Sequence, residues 1–199
     1  MFVKICGLTR PEDAESAAAA GADAIGINFW PGSKRYVASL AQAREIASAA
    51  GGLTTVGVFV NASADEIERA LEVVALAQLH GDESPAFAEP FRGRFVRAVR
   101  VHGPSSLAEL AAFSCPFYLL DSFAEGYGGQ GRPFDWELAR QAASACKIVL
   151  AGGLTPDNVA EAVAQVRPYG VDCASGVESA PGIKDALKIR RFVAEARGA

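Results

Sequence analysis

Short apolar runs alternate with longer segments of mixed polarity along the chain, and the two kinds of segment form about eight pairs. Apolar runs of this length, bounded by turn residues, are typical of buried parallel strands, and the segments between them are typical of amphipathic helices. Regular alternation of the two elements predicts a parallel sheet with helical crossovers. The predicted strands are residues 2–7, 23–29, 54–60, 76–80, 95–101, 117–122, 147–151 and 170–174.

Helix starts are marked by proline in the first turn and by Ser, Thr or Asp at capping positions. Thr9 is the predicted N-cap of the first helix, which has Pro11 in its first turn and ends at Gly21. Thr155 and Pro156 mark the clearest start, that of the seventh helix. The other predicted helices are residues 39–50, 63–74, 84–92, 104–113, 135–145 and 185–197, and the seventh spans 155–166.

Eight similar units without a linker favour closure into a barrel over an open doubly wound sheet. An open flavodoxin-like sheet is the alternative, but it uses about five strands and leaves about three predicted units without a place. The 199 residues, 50% hydrophobic and 21% charged, suit one well-packed domain. We therefore expect residues 1–199 to form a single compact (βα)8 TIM barrel, an α/β fold with tight loops.

The distribution of charge along the chain does not indicate a polyanionic partner. The formal net charge is −4, and the chain has no run of basic residues. The segment Met1-Phe2-Val3-Lys4 lacks the features of a signal peptide, and no apolar run approaches the roughly 18 residues of a membrane span. We therefore expect a cytoplasmic protein that binds neither nucleic acid nor a membrane.

The four cysteines are far apart in the sequence and show no paired metal-ligand spacing, and only two histidines accompany them. No metal site is expected. A reducing cytoplasm also disfavours disulfides. Cys115, Cys146 and Cys173 lie just before or inside predicted strands, so we expect them to be small core residues.

Two predicted strands end in a reactive side chain, Cys6 on the first and Asp121 on the sixth. Catalytic groups of a parallel barrel lie at such ends. Lys4 falls on the same side of its strand as Cys6, and its ammonium is expected to lower the pKa of the thiol. Asp121 follows an apolar run, and partial desolvation is expected to keep its carboxyl protonated. The pair predicts a base and an acid, against an inert core cysteine and a capping or surface aspartate.

Glycines gather after the last three predicted strands. Backbone amides without side chains around them are able to surround a phosphate, and barrels often place such a site at strands seven and eight. Tight turns are the alternative explanation for any one cluster, but three clusters at neighbouring strand ends favour an anion site. The candidate phosphate-binding residues are Gly128, Gly129, Gln130, Gly131, Gly152, Gly153, Ser175 and Gly176.

Short motifs occur in one order from the first strand to the last. They are Lys4-Ile5-Cys6-Gly7-Leu8-Thr9, Gly26-Ile27-Asn28-Phe29, Ser33-Lys34-Arg35-Tyr36, Val56-Gly57-Val58-Phe59-Val60, Gln78-Leu79-His80-Gly81, Leu119-Leu120-Asp121, Gly128-Gly129-Gln130-Gly131, Phe134-Asp135-Trp136, Ala151-Gly152-Gly153-Leu154, Val171-Asp172 and Ser175-Gly176-Val177-Glu178. Together they resemble the phosphoribosylanthranilate isomerase family of tryptophan biosynthesis. The resemblance implies a cofactor-free (βα)8 barrel that converts N-(5-phosphoribosyl)anthranilate to the carboxyphenylamino-deoxyribulose phosphate by an Amadori rearrangement.

The resemblance also implies roles for individual residues. Asp121 protonates the furanose ring oxygen, and Cys6 removes the C2′ proton of the resulting Schiff base. Arg35 corresponds to the arginine that binds the anthranilate carboxylate, for which a planar bidentate group is suited. The positions that correspond to other pocket-lining residues of the family are Gln78, His80 and Asp172.

Two positions depart from the family pattern. Gln130 stands where the family commonly has Ser or Thr, and Ala174 stands where it has a second serine. Each change removes a hydroxyl donor, so somewhat weaker phosphate binding is expected, with Arg132 as a possible compensation.

Three other functions stay open. The first is a related phosphosugar isomerase of the histidine pathway. The pattern of that family has a pair of aspartates, and Cys6 in this chain argues against it. A non-catalytic phosphosugar-binding barrel needs no base and acid together, and a thiol redox protein needs a second cysteine nearby. The chain is expected to act on a small phosphorylated substrate as a monomer or a homodimer.

Overall fold

The computed structural model describes residues 1–101, 103–122 and 136–199. Eight parallel strands close into a barrel in sequence order, so that each strand pairs with its chain neighbours and β1 pairs with β8. The predicted (βα)8 barrel is confirmed. The barrel strands are β1 (Phe2–Ile5), β2 (Ala24–Asn28), β3 (Thr54–Phe59), β4 (Leu76–Leu79), β5 (Phe95–Val101), β6 (Tyr118–Ser122), β7 (Ile148–Leu150) and β8 (Gly170–Cys173).

Helices follow the strands and cover the outside of the barrel. The α-helices are α1 (Pro11–Ala19), α2 (Leu40–Ala49), α3 (Ala64–Ala70), α4 (Pro85–Ala88), α5 (Trp136–Ala145), α6 (Val159–Val166) and α7 (Ala186–Gly198). Among the described residues, four of these helices have side-chain caps: α2 from Ser39, α3 from Ser63 within a full capping box, α4 from Ser84 and α7 from Asp185. The predicted start of the sixth helix at residue 135 lies outside the described residues.

Two predicted helix starts are wrong. Arg10, not Thr9, occupies the N-cap position of α1, and the Thr9 hydroxyl instead donates to the carbonyl of Gly182 at 2.6 Å. Helix α6 begins at Val159 because the Asn158 carboxamide accepts a bond from the Thr155 amide at 2.8 Å and closes a turn there. At Thr9 a hydrogen bond outside the helix uses the hydroxyl that the pattern assigned to a cap, whereas the Thr155 hydroxyl accepts from the Asp157 amide at 3.2 Å in the turn before α6.

Two predicted α-helices are partly or wholly 3₁₀. Helix α4 continues as a 3₁₀ turn over Glu89–Phe91, where Pro90 has no N–H for the α-helical ladder. The segment Pro104–Ala111 is 3₁₀ throughout, and the Ala112 amide at its end still donates to Glu109 three residues back. A short antiparallel pair after β8, which the pattern did not predict, consists of β9 (Glu178–Ala180) and β10 (Ile183–Lys184).

Strand alternation divides the buried residues into two layers. The larger apolar cluster packs between the barrel and its helices, whereas a smaller one, which includes Val96, Phe117 and Leu119, fills the barrel interior. Residues two apart on a strand share a face, so Asp121 continues the interior row of Phe117 and Leu119. The interior is thus apolar near the amino ends of the strands and polar near their carboxyl ends.

Candidate active site

A cavity of about 590 Å³ opens at the carboxyl ends of the barrel strands. This size suits a small organic ligand. The sequence-predicted residues that the structure brings together around it are Cys6, Arg35, Gln78, His80, Asp121, Gly152, Gly153, Asp172 and Ser175.

Cys6 directly follows β1, and its amide donates to the Cys173 carbonyl at 2.8 Å. The thiol has room because position 26 is glycine: a Cβ there would lie 2.6 Å from Cys6 Sγ. Only 9% of the residue is exposed. Burial raises the pKa of the Cys6 thiol; Lys4 lowers it and Asp172 raises it, and the net direction is upward. The expected fall in this pKa is therefore wrong, because desolvation outweighs the ammonium.

Replacing Gly26 by alanine tests this packing. The added methyl would push the thiol aside, and displacement of a reacting group costs turnover more than affinity, so Gly26→Ala should lower kcat about tenfold or more with KM little changed. Steady-state kinetics provides the measurement. Gly198→Ala is the matched control, since a Cβ there meets no atom within 4 Å. Equal kcat in Gly26→Ala and wild type would contradict the packing argument.

An ion pair closes the floor of the cavity. Lys4 Nζ donates to Asp172 Oδ1 at 2.9 Å, and the two residues are register partners on β1 and β8. Lys4 is 1% and Asp172 7% exposed. Burial opposes the charge on Lys4, but the Asp172 carboxylate and Cys6 outweigh it and raise the pKa of the ammonium. Lys4 is thus charged and adjacent to Cys6, as strand alternation predicted.

Asp121, at the end of β6, is 7% exposed and faces a histidine. His80 Nε2 lies 3.4 Å from Asp121 Oδ2, and Gln78 Nε2 lies 3.1 Å from His80 Nδ1. With the Gln78 amide as donor, the neutral imidazole carries its proton on Nε2, on the side of the carboxyl. Gln78, His80 and Asp121 therefore form one chain of polar contacts along the cavity wall.

Arg35 borders the cavity, and one bidentate edge of its guanidinium is occupied. Its Nε and Nη2 donate to the two Glu178 oxygens at 2.6 and 2.7 Å. Lys184 Nζ reaches the same carboxylate at 2.8 Å. Burial disfavours the ionised Glu178 carboxyl, but Arg35 and Lys184 outweigh this and hold its pKa below the ordinary value. Glu178 and Lys184 had no predicted role; Glu178 lay inside a quoted motif, whereas no local signal marked Lys184.

Part of the predicted phosphate site lies in the described residues. Gly152 and Gly153 adopt φ values of +80° and +71°, conformations that favour glycine, and both line the cavity with Ser175. Gly176 lies next to Ser175 in a 3₁₀ turn, where a Cβ would come within 2.0 Å of the Leu154 carbonyl oxygen. The predicted residues Gly128, Gly129, Gln130 and Gly131, and Arg132 with them, lie outside the described residues.

The remaining cysteines are free, as is Cys6. Cys173 is buried as predicted, donates to the Leu154 carbonyl, and has its pKa raised to about 12 by burial. Cys115 and Cys146 are half-buried against the core. In the part of the chain that the structure describes, no group of three or more His, Cys, Asp or Glu side chains is placed to hold a metal ion. Nor does any described helix have the length and apolarity to cross a membrane.

A closed eight-stranded barrel with a polar cavity at the carboxyl ends of its strands defines the chain as a (βα)8-barrel enzyme. The family model described as N-(5'phosphoribosyl)anthranilate (PRA) isomerase matches residues 3–195. The chain belongs to the N-(5′-phosphoribosyl)anthranilate isomerase family, whose members are aldose–ketose isomerases of tryptophan biosynthesis.

Individual relatives agree with this assignment. The chain is 50% identical over 198 residues to the isomerase of Geobacter sp. strain M21, covering 98% of this chain and 97% of that protein. A crystal structure from Thermotoga maritima, described as mutually generated monomers of a dimeric phosphoribosylanthranilate isomerase, matches with TM-score 0.88, 36% identity and full coverage of both chains. A further isomerase structure, in complex with reduced 1-(o-carboxyphenylamino)-1-deoxyribulose 5-phosphate, matches with TM-score 0.86, 36% identity and full coverage of both chains.

Proposed function

We propose that Cys6 is the general base and Asp121 the general acid of the isomerisation of N-(5′-phosphoribosyl)anthranilate, the reaction of this family. The observation that carries the assignment is that both side chains border one cavity, from β1 and β6, each at the carboxyl end of its strand. A thiol and a carboxyl around one substrate supply the two proton transfers that an aldose–ketose isomerisation needs.

Protons balance over the proposed cycle. Asp121 gives its proton to the ring oxygen as the C1′–O4′ bond breaks, and the amine nitrogen becomes an iminium. The Cys6 thiolate then takes the C2′ proton, and the electron pair of that bond neutralises the iminium and leaves an enolamine. Ketonisation moves the C2′ hydroxyl proton to C1′. Proton exchange with solvent returns Cys6 and Asp121 to their starting states.

The other wall residues are proposed to bind the substrate. Gln78, His80 and Asp172 line the cavity with hydrogen-bonding groups. Gly152, Gly153, Ser175 and Gly176 are proposed to hold the phosphate together with the glycines at 128, 129 and 131 and Gln130. This proposal rests on the glycine conformations after β7 and on the phosphorylated ligand of the related structure.

Arg35 is proposed to bind the anthranilate carboxylate through the edge that Glu178 does not use. Glu178 accepts from Nε and from one N–H of Nη2, so Nη1 and the second N–H of Nη2 are left for the substrate. These two nitrogens still provide the bidentate contact that the resemblance implied.

Replacing Arg35 by alanine should raise KM about tenfold to a hundredfold and change kcat little, because a charged hydrogen bond contributes about 1.5–3 kcal/mol. Glu178 keeps Lys184 and the Gly182 amide as partners, which limits structural damage. Steady-state kinetics gives the measurement. Arg94→Ala, which removes an exposed arginine paired with Glu68, is the control. A fall in kcat at unchanged KM would contradict a role of Arg35 in substrate binding.

Domain extent, assembly and location are also proposed. Closure of the barrel by β1 and β8 supports one domain over residues 1–199. The dimeric relative supports a monomer or a homodimer. A biosynthetic role and free thiols among the described cysteines favour the cytoplasm.

The proposal is tested by mixing purified protein with freshly generated phosphoribosylanthranilate and following the loss of anthranilate-type fluorescence. Rapid loss with the intact protein, and its absence with Asp121→Asn, is the expected result. Tight phosphosugar binding without turnover by the intact protein would instead indicate a binding role and overturn the catalytic assignment.

A further inference from the structure

The buried Lys4–Asp172 ion pair has no packing explanation. Its two residues are register partners inside the barrel, one layer below the cavity opening, where the amino-terminal layers of the same interior are filled by apolar side chains such as Val96 and Leu119. Desolvation makes a buried ion pair a poor source of stability, and apolar residues of similar volume often serve as well or better. A salt bridge at this depth therefore calls for a role other than packing.

The pair lies directly beneath Cys6. Lys4 is two residues before Cys6 on the same face of β1, and its ammonium is a charged neighbour of the thiol. The contact with Asp172 at 2.9 Å, together with burial of both side chains, holds the ammonium in one place. A flexible lysine is thereby restricted to one orientation beside the thiol.

Other charged groups also act on the thiol. Lys184 on β10 contributes a second positive charge, and Arg35 interacts with Cys6 from the segment after β2. Both cations are bound to the Glu178 carboxylate, which offsets them. Among the described groups, Lys4 is the largest influence that favours the thiolate, and Asp172 is the largest charge that opposes it.

We propose that the Lys4–Asp172 pair is a positioning device that holds the Lys4 ammonium against Cys6, so that the thiolate forms in a cavity that otherwise disfavours it. Neither residue of the pair needs to exchange a proton with the substrate in this role. The inference rests on the proposed function of Cys6 as the base, and it extends that function to the residues beneath it.

The proposal predicts opposite effects for the two members of the pair. Lys4→Met removes the favourable charge, so thiolate formation should move to higher pH by about one unit or more. Asp172→Asn removes the opposing charge but keeps an oxygen that accepts from the Lys4 ammonium, so thiolate formation should move to lower pH. Asp172→Ala removes the same charge together with the acceptor, so the ammonium is no longer held and thiolate formation should lie at higher pH than in Asp172→Asn. A purely structural pair would lower thermal stability in these variants and leave the pH dependence of the thiol unchanged.

The test is the rate of alkylation of Cys6 by iodoacetamide as a function of pH in the free enzyme, followed by mass spectrometry of the peptide that contains Cys6. The absence of substrate separates this readout from any role of Asp172 in binding. Lys147→Met is the matched control, because that lysine lies over the Tyr169 ring rather than beside Cys6. Its alkylation midpoint should equal that of wild type.

A midpoint that rises in Lys4→Met, falls in Asp172→Asn and is higher in Asp172→Ala than in Asp172→Asn supports the proposal. Equal midpoints in Asp172→Asn and Asp172→Ala, or a midpoint that does not fall in Asp172→Asn, overturn it, and these two variants suffice if Lys4→Met does not fold. Failure of the proposed function is seen separately: a wild-type enzyme that keeps full turnover after complete alkylation of Cys6 would remove the thiol from catalysis, whatever the midpoints.

Discussion

Cys6→Ala should lower kcat by at least about a hundredfold and leave KM nearly unchanged. General base catalysis contributes about a hundredfold to ten-thousandfold, and alanine has no group that accepts the C2′ proton. Cys6 as a whole residue is only 9% exposed at the cavity wall, so loss of its thiol removes little binding surface. Loss of turnover without loss of affinity is the signature of an interaction made in the transition state.

Two measurements and two further variants test this prediction. Turnover is followed by substrate fluorescence, and affinity by titration with the reduced product analogue that a related enzyme binds. Cys6→Ser keeps the shape of the side chain but replaces the thiolate by a hydroxyl that does not ionise near neutral pH, so it should be as slow as Cys6→Ala. Cys146→Ala, at a half-buried cysteine outside the cavity lining, is the control. Turnover of Cys6→Ala near the wild-type rate would exclude Cys6 as the base.

The reactivity of the Cys6 thiol should rise with pH. Because burial and Asp172 raise the pKa of the thiol more than Lys4 lowers it, the thiolate is the minor form at neutral pH and increases above the ordinary pKa of a cysteine. The alkaline increase in the rate of Cys6 alkylation should therefore lie above that of an exposed thiol. An alkylation rate that is already maximal near pH 7 and flat above it would contradict the assigned protonation state of Cys6.

Asp121→Asn is the second substitution with a large expected effect, again a fall in kcat of at least about a hundredfold. The carboxamide has the same size but is not an acid, so the ring oxygen leaves without a proton. The contact with His80 Nε2 at 3.4 Å is able to persist, since the amide oxygen of asparagine takes the place of a carboxyl oxygen. The change therefore tests the proton rather than the shape of the site.

The control is Asp157→Asn, which affects an exposed aspartate paired with Arg191 away from the cavity lining. It should keep wild-type kinetics and stability. Because Cys6 and Asp121 serve consecutive steps of one reaction, the double variant Cys6→Ala/Asp121→Asn should be little slower than the slower single variant. If the fold-losses in kcat of the two single variants instead multiply in the double variant, the two residues act independently and the argument from consecutive steps is wrong.

Much of the site could be predicted from the chain alone, because it follows from strand periodicity. An apolar run that ends in Cys6 or Asp121 places that residue at the carboxyl edge of a parallel sheet, and both residues border the cavity. Gln78, His80, Asp172 and Arg35 have no such local mark. These residues were placed in the site by the resemblance to the family, because the short sequence patterns around them also suit ordinary core or loop positions.

The sign of the pKa shift at Cys6 could not be obtained from sequence spacing. Position along β1 indicates that Lys4 lies beside Cys6, and this is confirmed. How strongly the thiol is desolvated depends on how completely the surrounding strands and Gly26 enclose it, and burial proves to be the largest contribution. Electrostatic attraction and desolvation oppose each other, so that only the closed barrel decides which is larger.

By itself, the sequence determined the repeated strand–helix order, the closed barrel and the two strand ends that carry the thiol and the carboxyl, because hydrophobic periodicity is a local property of the chain. The tertiary structure decided the pairing of Arg35 with Glu178, 143 residues apart, and of Lys4 with Asp172, 168 residues apart. It likewise decided that the Thr9 hydroxyl bonds to Gly182 instead of capping α1, and that Thr155 closes a turn ahead of α6. Contacts between residues so distant, and competition for a single hydrogen bond, are settled only when the barrel has closed and the partners share one interior.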